Sequence, residues 1–178
     1  KNILSSQLNK NGNTLIGHTR LKTHGDEGLE INNQPVISNK MSVVHNGILV
    51  NHVDLVEEYK LNVVSELDSE VIPLLISHHL EKNNLLFSLT ETIKAFSGEI
   101  SIAGSVNNGE NYFLYTNTGS IYFVIENNKV IFFSSEEWIT KKIKEKYSIK
   151  GEIKKLKANT GLIINSEFEI IDKFEEQC

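Results

Sequence analysis

From residue 99 onward the period of the chain changes. The runs "EISIAGSV", "NYFLYT", "SIYFVI" and "KVIFFS" are rich in Ile, Val, Phe and Tyr, and "NNGE", "NTG" and "ENN" separate them. β-Branched and aromatic residues suit a pleated, half-buried surface, and Asn-Gly clusters reverse the chain. This part is predicted to be an antiparallel meander, with "TGLIIN" and "FEIIDK" as two closing strands.

The first half reads differently. "NTLIGHTR" is predicted as a strand entering the loop "LKTHGDEGLEINNQPV", and "MSVVHN" as the next strand. A loop that long inside a compact domain is usually functional or disordered. "NHVDLVEEYK" follows as a short helix capped by Asn51, with Val53, Leu55 and Val56 facing inward. Val71, Ile72, Leu75, Ile76 and Leu80 recur at helical spacing behind Asp68, a candidate cap. Pro73 requires that helix to begin late or to have an irregular first turn. "LLFSLTETIKAF" is a further amphipathic helix. "SSEEWITKKIKEKY" is another, with Ser134 and Glu137 spaced as a capping box. The expected architecture is one α+β domain over residues 1–178, with helices grouped between two sets of strands.

The 178 residues are enough for a sizeable core. A formal net charge of −5 argues against a nucleic-acid surface. The densest basic stretch, "KKIKEKYSIKGEIKKLK", is interrupted by Glu and apolar residues and reads as the solvated face of a helix and loop. No apolar run approaches a membrane span and no leader opens the chain, so no membrane is expected. The single cysteine, Cys178, cannot form an internal disulfide or a thiolate metal site, which fits a reducing, cytoplasmic setting. The six histidines show no ligand spacing such as HExxH, so no metal is expected.

Three clusters carry candidate chemistry: "GHTRLKTHG", "VVHNG" and "SELDSEV". Arg20, ending a predicted strand, is either a surface ion-pair partner or a clamp for a carboxylate. Asp68 is either a helix cap or a seat for an ammonium group. Asn46-Gly47 is either a hairpin turn or a pair of oxyanion donors, one from the side chain and one from the backbone.

Taken in order, "IGHTRLKTHG", "INNQPV", "VVHNGILVNHVDLVEEY" and "SELDSEVI" resemble the glutaminase domain of class II glutamine amidotransferases, which are N-terminal-nucleophile hydrolases. The likeness covers nearly the whole chain and is nearest to the glutamine–fructose-6-phosphate aminotransferase branch. It implies a four-layer αββα sandwich of two antiparallel sheets. It also implies that Arg20 grips the α-carboxylate of L-glutamine and that Asp68 binds its α-ammonium. Thr23 and His24 would line the pocket, and Asn46 and Gly47 would stabilise the tetrahedral oxyanion. Glutamine would be hydrolysed to glutamate, with ammonia passed to a sugar phosphate or nucleotide sugar held by a synthase domain or subunit. No cofactor is implied, and assembly as a homodimer stays open.

The pattern breaks at the nucleophile. The family uses a cysteine at the mature N-terminus, whereas this chain begins with Lys1 and has no Cys before Cys178. Either the nucleophile segment lies upstream of the residues shown, or the domain is an inactive glutamine-binding or scaffolding module. Retention of Arg20, Asn46, Gly47 and Asp68 favours the first. Leu21 and Lys22 stand where the branch commonly has Trp and Ala, which loosens the tie to the fructose-6-phosphate enzyme.

Overall fold

A computed structural model describes residues 14–19 and 30–175. A 3-10 turn at Glu30–Asn32 precedes β1 (Val36–Ser38) and β2 (Met41–Leu49). Three helices follow: α1 (His52–Tyr59), α2 (Val71–Leu80) and α3 (Leu85–Ala95). Then come β3 (Gly98–Val106), β4 (Asn111–Thr116), β5 (Tyr122–Glu126) and β6 (Lys129–Ser134). The last elements are α4 (Glu137–Lys146), β7 (Glu152–Lys155), β8 (Thr160–Asn165) and β9 (Ile170–Glu175).

Local chemistry accounts for two helix starts. α3 starts where Asn84 Oδ1 accepts the Phe87 N–H at 2.9 Å, and it buries Ser88, Leu89, Thr92 and Ile93 on one stripe. A 3-10 turn at Asp68–Glu70 runs straight into α2, so Pro73 falls at the third helical residue. Its missing N–H is harmless there, because the first-turn N–H groups have no intrahelical acceptor. The first turn is therefore irregular, one of the two outcomes Pro73 allows.

Six strands form one sheet in the order β1-β2-β3-β4-β8-β9, and three form a second in the order β6-β5-β7. Every pairing is antiparallel. Strand alternation divides the large sheet into two apolar faces. Val43, Phe113 and Ile163 join the core formed with Leu75, Ile76 and Leu89 of the helices. One residue along, the cross-strand row Val44, Ala103, Leu114 and Leu162 packs on Phe123 and Val130 of the small sheet. Val124, on the opposite side of β5 from Phe123, is fully buried, and α4 lies against β5, β6 and β7. The layers run helices, sheet, sheet, helix, which is the αββα sandwich expected.

Several local expectations are corrected. The meander is broken: β4 pairs with β8, and the chain crosses to the second sheet before β5. Residues 14–19 form no strand, although Ile16 packs between the sheets and Thr14 bonds the Tyr112 hydroxyl at 2.7 Å. Val53 is 56% exposed, whereas Leu55 of the same helix is buried. Ser134 ends β6 and bonds Thr140 and the Glu136 carbonyl, so no capping box forms. Part of the basic stretch is β7. No helix among the described residues is long and apolar enough to cross a membrane.

Gly104, opposite the Phe113 ring, and Gly161, opposite the Phe174 ring, are cross-strand positions that use glycine for volume. A Cβ at Gly161 would lie 2.1 Å from the ring of Phe174, which stacks on Tyr115. Gly161→Ala is expected to destabilise the fold by about 1–3 kcal/mol through overpacking. Adding Phe174→Leu should recover part of that loss. Strictly additive losses in denaturant melts would contradict the packing account.

Candidate functional site

Asn46-Gly47 does not reverse the chain. Asn46 pairs with Ser101 and Gly47 with Ile100, and β2 continues to Leu49. Gly47 has φ +143°, and a Cβ there would sit 1.8 Å from the Glu99 carbonyl oxygen. Only glycine fits both the dihedral and the space. Asn46 is exposed, and its carboxamide makes no hydrogen bond to any other described residue.

The far edge of β2 is built by side chains. β1 covers that edge only as far as Val43, which pairs with Val36. At His45 the N–H donates to Gln34 Oε1 at 2.6 Å, and Gln34 Nε2 donates to the His45 carbonyl at 3.1 Å. At Leu49 the N–H donates to Asp68 Oδ2 at 2.7 Å. Gly47 lies between these two anchors. Its cross-strand partner Ile100 spends its N–H on Asn117 Oδ1 (2.8 Å) and its carbonyl on the Asn117 N–H (2.9 Å). Gly47 and Ile100 are therefore a non-hydrogen-bonded pair, and strand alternation turns the Gly47 N–H to the same edge as those of His45 and Leu49.

Asp68 is buried and caps nothing with its side chain. Besides the Leu49 N–H it accepts the Ser69 hydroxyl at 3.1 Å, leaving lone pairs for a cationic group. Ser69 Oγ also lies 3.0 Å from His45 Nδ1, and His45 Nε2 lies 3.3 Å from the Glu99 carbonyl. Burial holds His45 below the usual imidazole pKa, outweighing the opposing pull of Asp68 and of the Glu99 carbonyl. The ring is neutral near pH 7, so its 3.9 Å approach to Asp68 is not an ion pair. A neutral ring donates from one nitrogen only. Donation from Nε2 satisfies Glu99, whereas donation from Nδ1 lets Ser69 donate onward to Asp68. An imidazolium would serve both, at the expense of burying a charge.

Two further residues tie the segments together. Asn32, fully buried, donates to Glu66 Oε2 at 2.9 Å and accepts the Glu66 N–H at 3.0 Å. Glu70 accepts the Ser65 N–H at 2.7 Å and the Ser65 hydroxyl at 2.6 Å. "INNQPV" and "SELDSEV" are thereby stitched to each other and to β2. Gln34, Ser69, Asn32 and Glu70 were not singled out from the sequence, although all four lie within those two motifs.

Asn46, Gly47 and Asp68 are thus gathered at one end of β2. Arg20, Thr23, His24 and Cys178 lie outside the described residues. A cleft of about 300 Å³ opens between α1 and the segment before Asp68, and none of Asn46, Gly47 and Asp68 lines it. Among the described residues, no group of three His, Cys, Asp or Glu side chains is placed to hold a metal ion. The arrangement attaches a carboxylate with lone pairs to spare at Leu49, two residues beyond the Gly47 N–H and three beyond the uncommitted Asn46 carboxamide.

Comparison with known proteins follows the same line. The family described as "Glutamine amidotransferase domain" matches residues 18–141. The glutamine–fructose-6-phosphate aminotransferase (isomerizing) of Wigglesworthia glossinidia brevipalpis is 43% identical over 100 residues, which are 54% of this chain and 16% of that protein. An amidophosphoribosyltransferase of Methanothermobacter thermautotrophicus is 36% identical over 104 residues, 54% of this chain and 22% of its own. A solved structure, the glutamine phosphoribosylpyrophosphate amidotransferase from B. subtilis complexed with ADP and GMP, matches with a TM-score of 0.65 at 16% identity. That match covers 89% of this chain and 34% of the other, and at such identity it shows the fold alone. The chain spans less than a quarter of the length of these two curated relatives. With its matched segment covering well over half of its length, the chain belongs to the class II glutamine amidotransferase domain family.

Proposed function

We propose that the protein carrying this chain hydrolyses L-glutamine and passes the ammonia to an acceptor. A cysteine thiolate from outside these 178 residues attacks the side-chain amide carbon. The carbonyl oxygen becomes an oxyanion held by the Asn46 Nδ2–H and the Gly47 N–H. The C–N bond then breaks, ammonia leaves with an added proton, and water cleaves the thioester to give glutamate. Asp68 holds the substrate ammonium, Arg20 its carboxylate, and Thr23 and His24 the walls of the pocket.

The observation that carries this reading is the edge of β2, where Gly47 presents a donor between the Gln34 and Asp68 anchors and Asn46 has an uncommitted carboxamide. The acceptor is a sugar phosphate or nucleotide sugar on a synthase domain or partner subunit. The two relatives' names, one a fructose-6-phosphate aminotransferase and one a phosphoribosyltransferase, support that class. The reducing cytoplasm suits a thiolate nucleophile.

Steady-state kinetics on the full-length protein test the assignment. Asn46→Ala is expected to lower kcat for glutamine hydrolysis about 10²- to 10³-fold, or ~2.7–4 kcal/mol, with little change in KM. Asp68→Asn retains an acceptor for the Leu49 N–H but loses the charge, and Arg20→Ala loses the clamp. Both should raise KM for glutamine strongly. An unchanged KM in both variants, or wild-type protein that binds glutamine without releasing glutamate, would overturn the proposal. The second result would instead describe a binding module.

The acid limit of the site follows from His45. Its folded pKa lies below the unfolded value, so the unfolded chain takes up the proton first and stability falls as pH drops below about 6.5. The His45 ring should give neutral imidazole ¹⁵N shifts at pH 6.5. Imidazolium shifts at that pH would contradict the burial argument.

A further inference from the structure

We infer that Gln34 is a positioning residue for the glutaminase step: its carboxamide takes the place of an edge strand at His45 and so aims the N–H of Gly47. The inference rests on the glutaminase reading. β1 stops pairing with β2 at Val43, and past that point the edge of β2 must find other partners. A primary amide has the same planar pair of groups as a peptide, one carbonyl and one N–H. Gln34 matches both to the backbone of His45, accepting at 2.6 Å and donating at 3.1 Å. Its Nε2 also reaches Ser69 Oγ at 3.4 Å, next to Asp68.

Gln34 is itself fixed from both sides. Two residues before it, Asn32 is fully buried and doubly bonded to Glu66. Two residues after it, Val36 pairs with Val43 of β2. Gln34 therefore ties the β2 edge to a buried frame. That matters two residues further on, because glycine is the residue freest to rotate its flanking peptides. The Gly47 peptide is bracketed by Gln34 at 45 and by Asp68 at 49. Removing the first bracket leaves Asp68 and the substrate ammonium in place, but the Asn46–Gly47 peptide is then held on that side of Gly47 only by its pairing with β3, and the N–H it carries can tilt off line. The effect should appear in kcat, where oxyanion stabilisation is expressed, and not in glutamine binding.

A residue that only fills the sheet edge would not divide the kinetics in this way. In the full-length protein, Gln34→Met keeps the length and loses both hydrogen bonds. It should lower kcat for glutamine hydrolysis about 10- to 100-fold while KM changes less than about threefold. Gln34→Glu supplies a test that does not depend on Gln34→Met folding. A protonated carboxyl accepts the His45 N–H and donates to the His45 carbonyl, whereas an ionised one opposes that carbonyl. The ratio of kcat in Gln34→Glu to wild type should therefore rise as pH falls from about 7 to about 5, a trend set by carboxyl protonation. A kcat for Gln34→Met within about twofold of wild type, or a kcat ratio for Gln34→Glu flat with pH, would overturn the inference. Wild-type protein that does not hydrolyse glutamine would instead remove the glutaminase reading beneath it.

Discussion

A β-strand has two hydrogen-bonding edges, and backbone groups left unpaired next to buried structure cost free energy. β2 pairs with β3 on one edge from Ser42 to Leu49, but β1 covers only the start of the other. The segments around Gln34 and Asp68 are drawn onto that bare edge, one presenting an amide and the other a carboxylate. Between their two points of attachment, a single backbone donor at Gly47 is left facing outward. The candidate site is what remains of an edge that other parts of the chain have almost completed.

The scaffold makes such an edge rigid. β2 is packed on both faces, by the helix layer through Val43 and Leu49 and by the second sheet through Val44. His45 is buried beside the edge, so its neutral ring, Ser69 and Asp68 form a polar cluster in a setting of low dielectric. Polar groups there are costly when unpaired and rigid when satisfied. The same cluster links the strand that carries the proposed oxyanion donors to the carboxylate proposed to hold the substrate ammonium.

Most elements of the fold were legible in the sequence, because β-branched runs, turn chemistry and helical spacing all act locally, whereas their four-layer order came from the family resemblance. What local pattern left open or hid has particular causes. Asn46-Gly47 carries a hairpin signal that pairing with β3 overrides, and nothing within a few residues announces that partner. β7 hid in a basic run because it is short and buries only part of Ile153, so charge dominated its pattern. Asp68 has the composition of a cap, yet its acceptor capacity goes to Leu49, nineteen residues earlier. Gln34 could not be assigned at all, since its role exists only once β2 lies beside it. Asn46, Gly47 and Asp68 stood out from their motifs with two readings each, the resemblance chose between them, and the structure supplies the physical reason for their proximity. Arg20, Thr23 and His24, which only the resemblance assigns to the pocket, lie outside the described residues.

The most direct test is a crystal structure of the full-length protein with L-glutamine bound, its nucleophile replaced to prevent turnover. The ligand ammonium should lie within about 3 Å of the Asp68 carboxylate, with its side-chain carbonyl oxygen directed at Asn46 Nδ2 and the Gly47 N–H. Glutamine seated instead in the cleft beside α1, or with its amide turned away from the β2 edge, would contradict the account.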